Sequence, residues 1–198
     1  IDLAIRASGS ISVQEFVEIS NFSKKDGFYN SDEIQKIGKK GHFITSPEIS
    51  SLFGICLTNQ FLSTFPDIKK VHLIEFGPGN GYLTLDISKY LKSKKIEIQK
   101  ISILEKSNYF TKEIKKKIPS AEVFDDLHNI NINPDITTFI YSNEFFDSFG
   151  SKQYIHQNKK FNEIKITKID NEYKLVYEEN FISAHLKSIY SNYDFEEK

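Results

Sequence analysis

The run Val71-His72-Leu73-Ile74-Glu75-Phe76-Gly77-Pro78-Gly79-Asn80-Gly81 constrains the fold more than any other stretch. Val71–Phe76 is a short apolar segment of strand length, and glycines at alternate positions end it. Tyr82–Leu91 then resumes with apolar residues at helical spacing. A strand that turns through glycines into a helix belongs in a parallel sheet, because the helix is the crossover to the next strand. Glycines in such a turn permit positive φ and let a ligand approach the backbone where a Cβ would collide.

The alternation continues downstream. Ile98–Leu104 reads as strand, and Ser107–Ile118 as a helix capped by Ser107 and stopped by Pro119. Ala121–Phe124 and Thr137–Ser142 read as further strands. Strands alternating with helices predict an α/β fold with right-handed crossovers. Upstream, residues 1–70 read as helices and loops. Ser12-Val13-Gln14-Glu15 has capping-box spacing for a helix to about Phe22. Asp26-Gly27 and Gly38–Gly41 read as loops. At Ser46-Pro47-Glu48 a helix is expected to restart, capped by Ser46, and to run to about Phe65. Beyond residue 150 the period changes to two. Lys152–His156, Phe161–Lys168 and Glu172–Tyr177 predict an antiparallel meander with turns at Gln157–Lys160 and Asp170-Asn171. Phe181–Lys198 reads as a helix or a frayed tail. Three regions result: 1–70, 71–150 and 151–198.

Composition narrows the function classes. The chain has 198 residues, 39% hydrophobic and 27% charged, which suits one globular domain with an appendage. No apolar run approaches the ~18 residues of a membrane span. A single cysteine, Cys56, excludes an internal disulfide framework. The net charge of -1 argues against a nucleic-acid binder, and the short lysine runs Lys92–Lys95 and Lys115–Lys117 lack interleaved aromatics. The histidines are scattered without metal-ligand spacing, so no metal site is expected. The absence of methionine, even at the first position, implies a start downstream of the native one.

The acids at the strand ends carry the chemistry. The dinucleotide fingerprint needs glycine or alanine where Tyr82 stands, and Pro78 removes an N–H that a pyrophosphate would use. Glu75, directly ahead of the glycines, suits a ligand carrying an ammonium or a ribose. S-adenosyl-L-methionine (SAM) is such a ligand. Glu105 closes the next strand, where a carboxylate reads a ribose diol. Asp125 closes the one after, where an adenine amino group could be accepted. The plain alternative is a tight β–α turn with solvated acids.

Asn143-Glu144-Phe145-Phe146-Asp147 follows the fourth strand, on the same rim as the glycine loop if the sheet is parallel. Methyl transfer is an in-line displacement, and holding the reactants in attack geometry can supply about 7–11 kcal/mol. Glu144 and Asp147 could orient a guanidinium and compensate its charge. Equally, Asn143 and Asp147 could cap a following helix and Glu144 be solvated. Thr45-Ser46-Pro47-Glu48 is similarly open, between a helix cap and a carboxylate-binding helix start.

Together these motifs resemble a known family. Gly27-Phe28-Tyr29, Gly41-His42-Phe43-Ile44-Thr45-Ser46-Pro47-Glu48-Ile49-Ser50, Phe53-Gly54, Glu75–Gly81 and Asn143–Asp147 look like the MidA-like SAM-dependent methyltransferases. Mitochondrial members of that family are arginine methyltransferases involved in respiratory complex I assembly. The resemblance runs from about Ile11 to Tyr177. It implies a Rossmann-like SAM-dependent methyltransferase sheet, incomplete at the C-terminus, with a helical N-terminal region that closes the cofactor site. The meander is similar to the family's β insertion and implies substrate recognition. By position, Thr45, Ser46, Pro47, Glu48, Glu75, Gly77, Pro78, Gly79, Gly81, Glu105 and Asp125 would hold the cofactor. Asn143, Glu144 and Asp147 would line the methyl-transfer end.

There are departures. His42 replaces the family's usual aspartate, and Val123 stands where an aromatic is common. The later strands are missing. In the usual order 3-2-1-4 the fourth strand is expected as a bare edge, so the chain continues past Lys198, is truncated, or meets a partner there. The resulting expectation is an enzyme methylating arginine on a protein substrate, such as a subunit of respiratory complex I. It would work in the cytoplasm of a bacterium or the mitochondrial matrix of a eukaryote. The alternatives are a non-catalytic assembly protein or truncated pseudo-enzyme of the same fold and, less favoured, an NAD-binding oxidoreductase.

Overall fold

A computed structural model of the chain describes residues 1–24, 26–31, 41, 44–157 and 160–179. His42, Phe43, most of the expected loop 38–41, the middle of the turn 157–160 and the tail from Phe181 lie outside the described residues. In chain order the regular elements are α1 (Asp2–Ser8), β1 (Ile11–Ser12), α2 (Val13–Phe22), α3 (Ser46–Ile49), α4 (Leu52–Thr64) and β2 (Lys70–Phe76). They continue with α5 (Tyr82–Ser93), β3 (Glu97–Leu104), α6 (Asn108–Lys117), β4 (Glu122–Phe124), β5 (Thr137–Ser142), β6 (Tyr154–Gln157), β7 (Lys160–Ile169) and β8 (Glu172–Glu179). The chain divides into two compact units: Lys24–Phe146, and residues 1–23 with those from Asp147 onward.

In the unit Lys24–Phe146, four parallel strands stand in the order β4-β3-β2-β5, the expected 3-2-1-4. Strand β2 is central, with Ile74 opposite Ser102 on one side and Ile140 on the other. Its residues Val71–Glu75 are buried without alternation, as befits a parallel strand covered on both faces. The core joins Val71, Leu73, Ile101, Ile103 and Phe139 of the sheet to Leu83, Ile87 and Leu91 of α5 and to Phe110 and Ile114 of α6. Phe61 of α4 stacks on Phe139, with ring centroids 4.1 Å apart and planes within 5°. Strands β3 and β5 flank β2 on opposite edges, so the crossover direction reverses between β2 and β5. Among the described residues β5 is paired on one edge only, and Ile140 is 50% exposed there.

The restarting helix differs from expectation. Thr45, not Ser46, holds the N-cap position with extended backbone, and its carbonyl accepts from Glu48 N at 2.9 Å. The helix then breaks at Ser50, whose extended backbone separates α3 from α4. The Ser50 hydroxyl accepts the Leu52 N–H at 3.2 Å, a local bond that competes with continuing the helix.

The second unit is built on β7. The meander β6-β7-β8 forms as expected, and Asp170 and Asn171 adopt the paired positive φ of a two-residue hairpin turn. Strand β1 adds antiparallel to β7, with Ile11 opposite Ile166. Ile5, Ile11 and Ile166 make a small core. By contact, therefore, residues 1–23 group with the meander, and the boundary falls at Ser23 rather than near residue 70. Helix α2 starts with the capping box read from the sequence: Ser12 Oγ accepts from Glu15 N at 3.1 Å, and Glu15 Oε2 accepts from Ser12 N at 2.8 Å. Ser12→Ala removes that acceptor and should cost about 0.5–2 kcal/mol, read as a lower urea midpoint with unchanged slope.

Candidate functional site

The glycine loop connects β2 to α5 through three left-handed residues, with φ of 60° at Gly77, 54° at Gly79 and 78° at Gly81. Two of them answer to protein contacts. A Cβ on Gly77 would lie 2.5 Å from Phe145 Cδ2, so the Phe145 ring rests on that glycine. A Cβ on Gly81 would touch Ile114 Cγ1 of α6 at 3.5 Å, and its N–H donates to Pro78 O at 3.0 Å to close the turn. Gly79 is buried and left-handed, between these two. The Gly77 N–H donates to Leu104 O at 3.0 Å, which fastens the start of the loop to the end of β3. Asn80 Nδ2 donates to Glu48 Oε1 at 2.8 Å, so α3 borders the loop through a side-chain bond. Thr45 and Pro47 are half-buried on the same segment and Ser46 is exposed; Thr45 makes no side-chain capping bond.

The three strand-end acids have different environments. Glu75 is 2% exposed, and its Oε2 accepts from Thr84 Oγ1 at 2.5 Å. Thr84 Oγ1 also bonds the Tyr141 hydroxyl at 2.6 Å. Burial raises the Glu75 pKa to about 7; the nearby Glu105 carboxylate adds to the rise, and Thr84 opposes it through its hydroxyl and its backbone N–H. Glu105, at the end of β3, accepts from Ser107 N at 2.7 Å. Desolvation lifts its pKa to about 7 as well, against the backbone N–H groups of Ser107 and Lys106. Asp125 is exposed, as is its neighbour Asp126, which accepts from His128 N at 2.9 Å and caps a short 3-10 turn, Leu127–Asn129. Glu75 and Glu105 are thus two desolvated carboxylates at adjacent strand ends.

Beyond β5 the chain does not enter the helix that Asn143 and Asp147 might have capped. Asn143 is half-buried. Glu144 is exposed and takes φ +50°, a left-handed conformation that costs a non-glycine residue about 1–3 kcal/mol. That turn sends Phe145 back over the glycine loop, against Phe76 at 5.7 Å and edge-to-face with Phe146 at 5.2 Å. Phe146 itself is 75% exposed. Asp147 is exposed in a 3-10 turn, Phe146–Ser148, and groups by contact with the other unit.

The sequence reading missed Thr84, Tyr141, Asn80 and Phe145. Thr84 is polar on the buried face of α5 and Tyr141 stands two residues past Phe139 on the core face of β5, so each was readable only as core. His72, by contrast, is a packed histidine: buried on β2, it bonds Ser102 Oγ at 2.8 Å, and burial lowers its pKa, with Lys100 adding to the shift. Among the described residues no cluster of His, Cys, Asp and Glu could hold a metal ion, and no helix is long and apolar enough to cross a membrane.

Residues 56–197 match the family described as "Putative S-adenosyl-L-methionine-dependent methyltransferase". The human mitochondrial protein arginine methyltransferase NDUFAF7 is 28% identical over 174 residues, covering 72% of this chain and 38% of that protein. Its Caenorhabditis elegans homolog is 26% identical over 187 residues, 82% of this chain and 44% of that protein. The rat protein is 40% identical over 86 residues, 42% of this chain and 19% of its own length. The chain therefore spans less than half of the length of these curated relatives. A Burkholderia thailandensis protein crystallised with S-adenosyl-homocysteine superposes with a TM-score of 0.80 at 18% identity, over 99% of this chain and 52% of that one. At that identity the likeness shows the fold.

Two measurements test this geometry. Gly77→Ala should destabilise by about 2–4 kcal/mol, from left-handed strain and the collision with Phe145. The loss should shrink in a Phe145→Ala background, and additive losses would mean the ring does not rest on Gly77. The second concerns pH. Carboxyls with raised folded pKa values add stability that is complete below the unfolded value near 4.5 and is lost as pH rises through about 7. The melting temperature of the ligand-free chain should fall from pH 5 to pH 8. Glu75→Gln and Glu105→Gln should each flatten that slope.

Proposed function

Since the chain belongs to this S-adenosyl-L-methionine-dependent methyltransferase family, we propose that its unit Lys24–Phe146 binds SAM at the carboxyl ends of β2, β3 and β4. The observation that carries this reading is the pair of desolvated carboxylates, Glu75 and Glu105, beside a buried left-handed glycine, Gly79. Two carboxyls held near neutrality at adjacent strand ends fit a ligand that brings both positive charge and hydroxyl donors. When bound, SAM supplies an electrophilic methyl group on a sulfonium.

The chain's own residues divide the remaining work. Gly77 and Gly81 hold the loop in shape, Pro78 closes its turn, and Gly79 admits the ligand to the backbone. Glu105 keeps one oxygen on the Ser107 N–H and offers the other to a ribose diol. Asp125, exposed at the end of β4, is placed to accept from an adenine amino group. Thr45, Ser46, Pro47 and Glu48 flank the loop through the Glu48–Asn80 bond. Asn143, Glu144 and Asp147 are the residues proposed to orient a guanidinium and to compensate its charge as it is alkylated.

The protein arginine substrate rests on the names of the relatives, and a target in respiratory complex I assembly on the family resemblance. With them goes a site of action in the mitochondrial matrix of a eukaryote, or the cytoplasm of a bacterium. The meander is proposed as the substrate-recognition surface. A non-catalytic role of the same fold is the second reading; among the described residues β5 is paired on one edge only and Ile140 is exposed there, a surface that a partner could cover.

Calorimetric titration separates these readings. SAM should bind at micromolar concentration and NAD should not; NAD binding without SAM binding would end the methyltransferase reading. Gly79→Val should abolish SAM binding in a chain that still melts cooperatively, since φ is 54° there and a branched side chain would fill the approach. Glu144→Gln should keep SAM affinity within a few-fold and cut methyl transfer to an arginine-containing protein. Full SAM affinity with no transfer in the unmodified protein, tested with its candidate protein substrates, would favour the non-catalytic reading.

A further inference from the structure

Neither Thr84 nor Tyr141 belongs to the glycine loop or to the turn after β5, yet together they join the two. Tyr141 lies two residues before Asn143, at the end of β5. Thr84 is in the first turn of α5, directly after the loop, and Glu75 is the last buried residue of β2. All three are in the interior: Thr84 is fully buried, Glu75 is 2% exposed and Tyr141 is 7% exposed. Two short bonds connect them, 2.5 Å from Thr84 Oγ1 to Glu75 and 2.6 Å from Thr84 Oγ1 to Tyr141.

Proton counting orders the chain. A threonine hydroxyl has one proton, and an ionised Glu75 can only accept, so Thr84 donates to Glu75. The Thr84 oxygen is then the acceptor in its second bond, and Tyr141 must donate. Burial and the nearby Glu75 both raise the Tyr141 pKa, so its proton stays in place. The direction is therefore Tyr141 to Thr84 to Glu75, each bond polarising the next. Apart from this relay, the titratable group acting on Glu75 is Glu105 at the end of β3, which disfavours its charge.

We propose that Thr84 and Tyr141 are positioning residues that act through Glu75, and that their hydroxyl relay governs how tightly the glycine loop accepts the positively charged cofactor. The inference rests on the SAM reading above. Ionised Glu75 provides negative potential beneath the loop, and the relay's polarised donor favours that form against the rise that burial imposes. In protonated form it provides none. Cofactor affinity therefore falls as pH drops through the Glu75 titration, and the pH at which it falls is set from β5 and α5 as well as from β2. Removing the Thr84 hydroxyl takes away a contribution that lowers the Glu75 pKa, so the midpoint moves up. Removing the Tyr141 hydroxyl weakens the polarisation of Thr84 and moves it less.

Two readouts on the intact chain test this: the Glu75 side-chain carboxyl resonance followed by carbon-13 NMR, and SAM affinity by calorimetry, both from pH 5.5 to 8.5. Thr84→Val should raise both midpoints by at least one pH unit and weaken SAM binding at pH 7 by about fivefold or more. Thr84→Ser keeps the hydroxyl and should restore both, whereas a purely structural role would not distinguish Val from Ser in the midpoint. Tyr141→Phe should shift both midpoints upward by a smaller amount. An NMR midpoint unmoved by Thr84→Val overturns the relay. A moved NMR midpoint with an unmoved affinity profile overturns its coupling to the cofactor. If the unmodified chain shows the Glu75 titration but binds no SAM at any pH, the cofactor reading fails and takes this coupling with it.

Discussion

Strand β2 is hydrogen-bonded along both edges and buried on both faces, and the chain leaving its carboxyl end has to turn at once. Everything that makes this end a site follows from that confinement. With no room to fan out, the backbone turns through three left-handed glycines into α5. The last buried side chain of the strand, Glu75, is left in the interior with its carboxylate. A carboxylate so placed needs donors, and the first turn of α5 supplies them from Thr84. The position that creates the loop thus also desolvates the acid beneath it.

The loop glycines serve packing as well as the ligand approach proposed for Gly79. Gly77 is glycine because Phe145 lies on it, and Gly81 because its φ of 78° is left-handed. Phe145 reaches Gly77 only because Glu144 takes a left-handed turn, so strain after β5 is compensated by an aromatic contact at the end of β2. The post-strand motif and the glycine loop are one structural unit, and a substitution in either should be felt in the other. This explains why Phe145 stands inside a motif whose polar members are the candidate site residues: its own part is to close the packing.

Local signals were legible in the sequence where they were self-sufficient. The capping box at Ser12, the strand Thr137–Ser142 and the N-cap at Ser107 rest on short-range pattern, whereas the order of the parallel strands is what the family resemblance implies. The failures share a cause. Ser46 reads as a cap from its place ahead of Pro47, but the extended backbone of Thr45 takes the cap position one residue earlier. The helix expected from Ser46 to about Phe65 rests on start and stop signals, and the Ser50 hydroxyl interrupts it between them. Strand β1 exists because Ile11 meets Ile166, a pairing across most of the chain that no local window contains. Likewise the spacing of the strand-end acids was readable, but not which of them would be desolvated. That depends on Thr84 and Tyr141 arriving from other elements.

The two raised carboxylates also set a relation between stability and binding. A buried acid that prefers its neutral form near pH 7 makes the empty protein most stable when it carries no charge there, which is the state least suited to a cation. A positively charged ligand reverses the preference, because it favours the ionised form and recovers in binding what desolvation costs in folding. On the proposed reading the site is less stable empty at high pH and binds a cation more tightly under the same conditions. Glu75 and Glu105 do this as neighbours that disfavour each other's charge, so ionising one raises the demand for a cation near the other. Replacing both by glutamine should give a more stable protein at pH 8 that has lost its affinity, and that opposition separates a binding site from a pair of acids that merely pack.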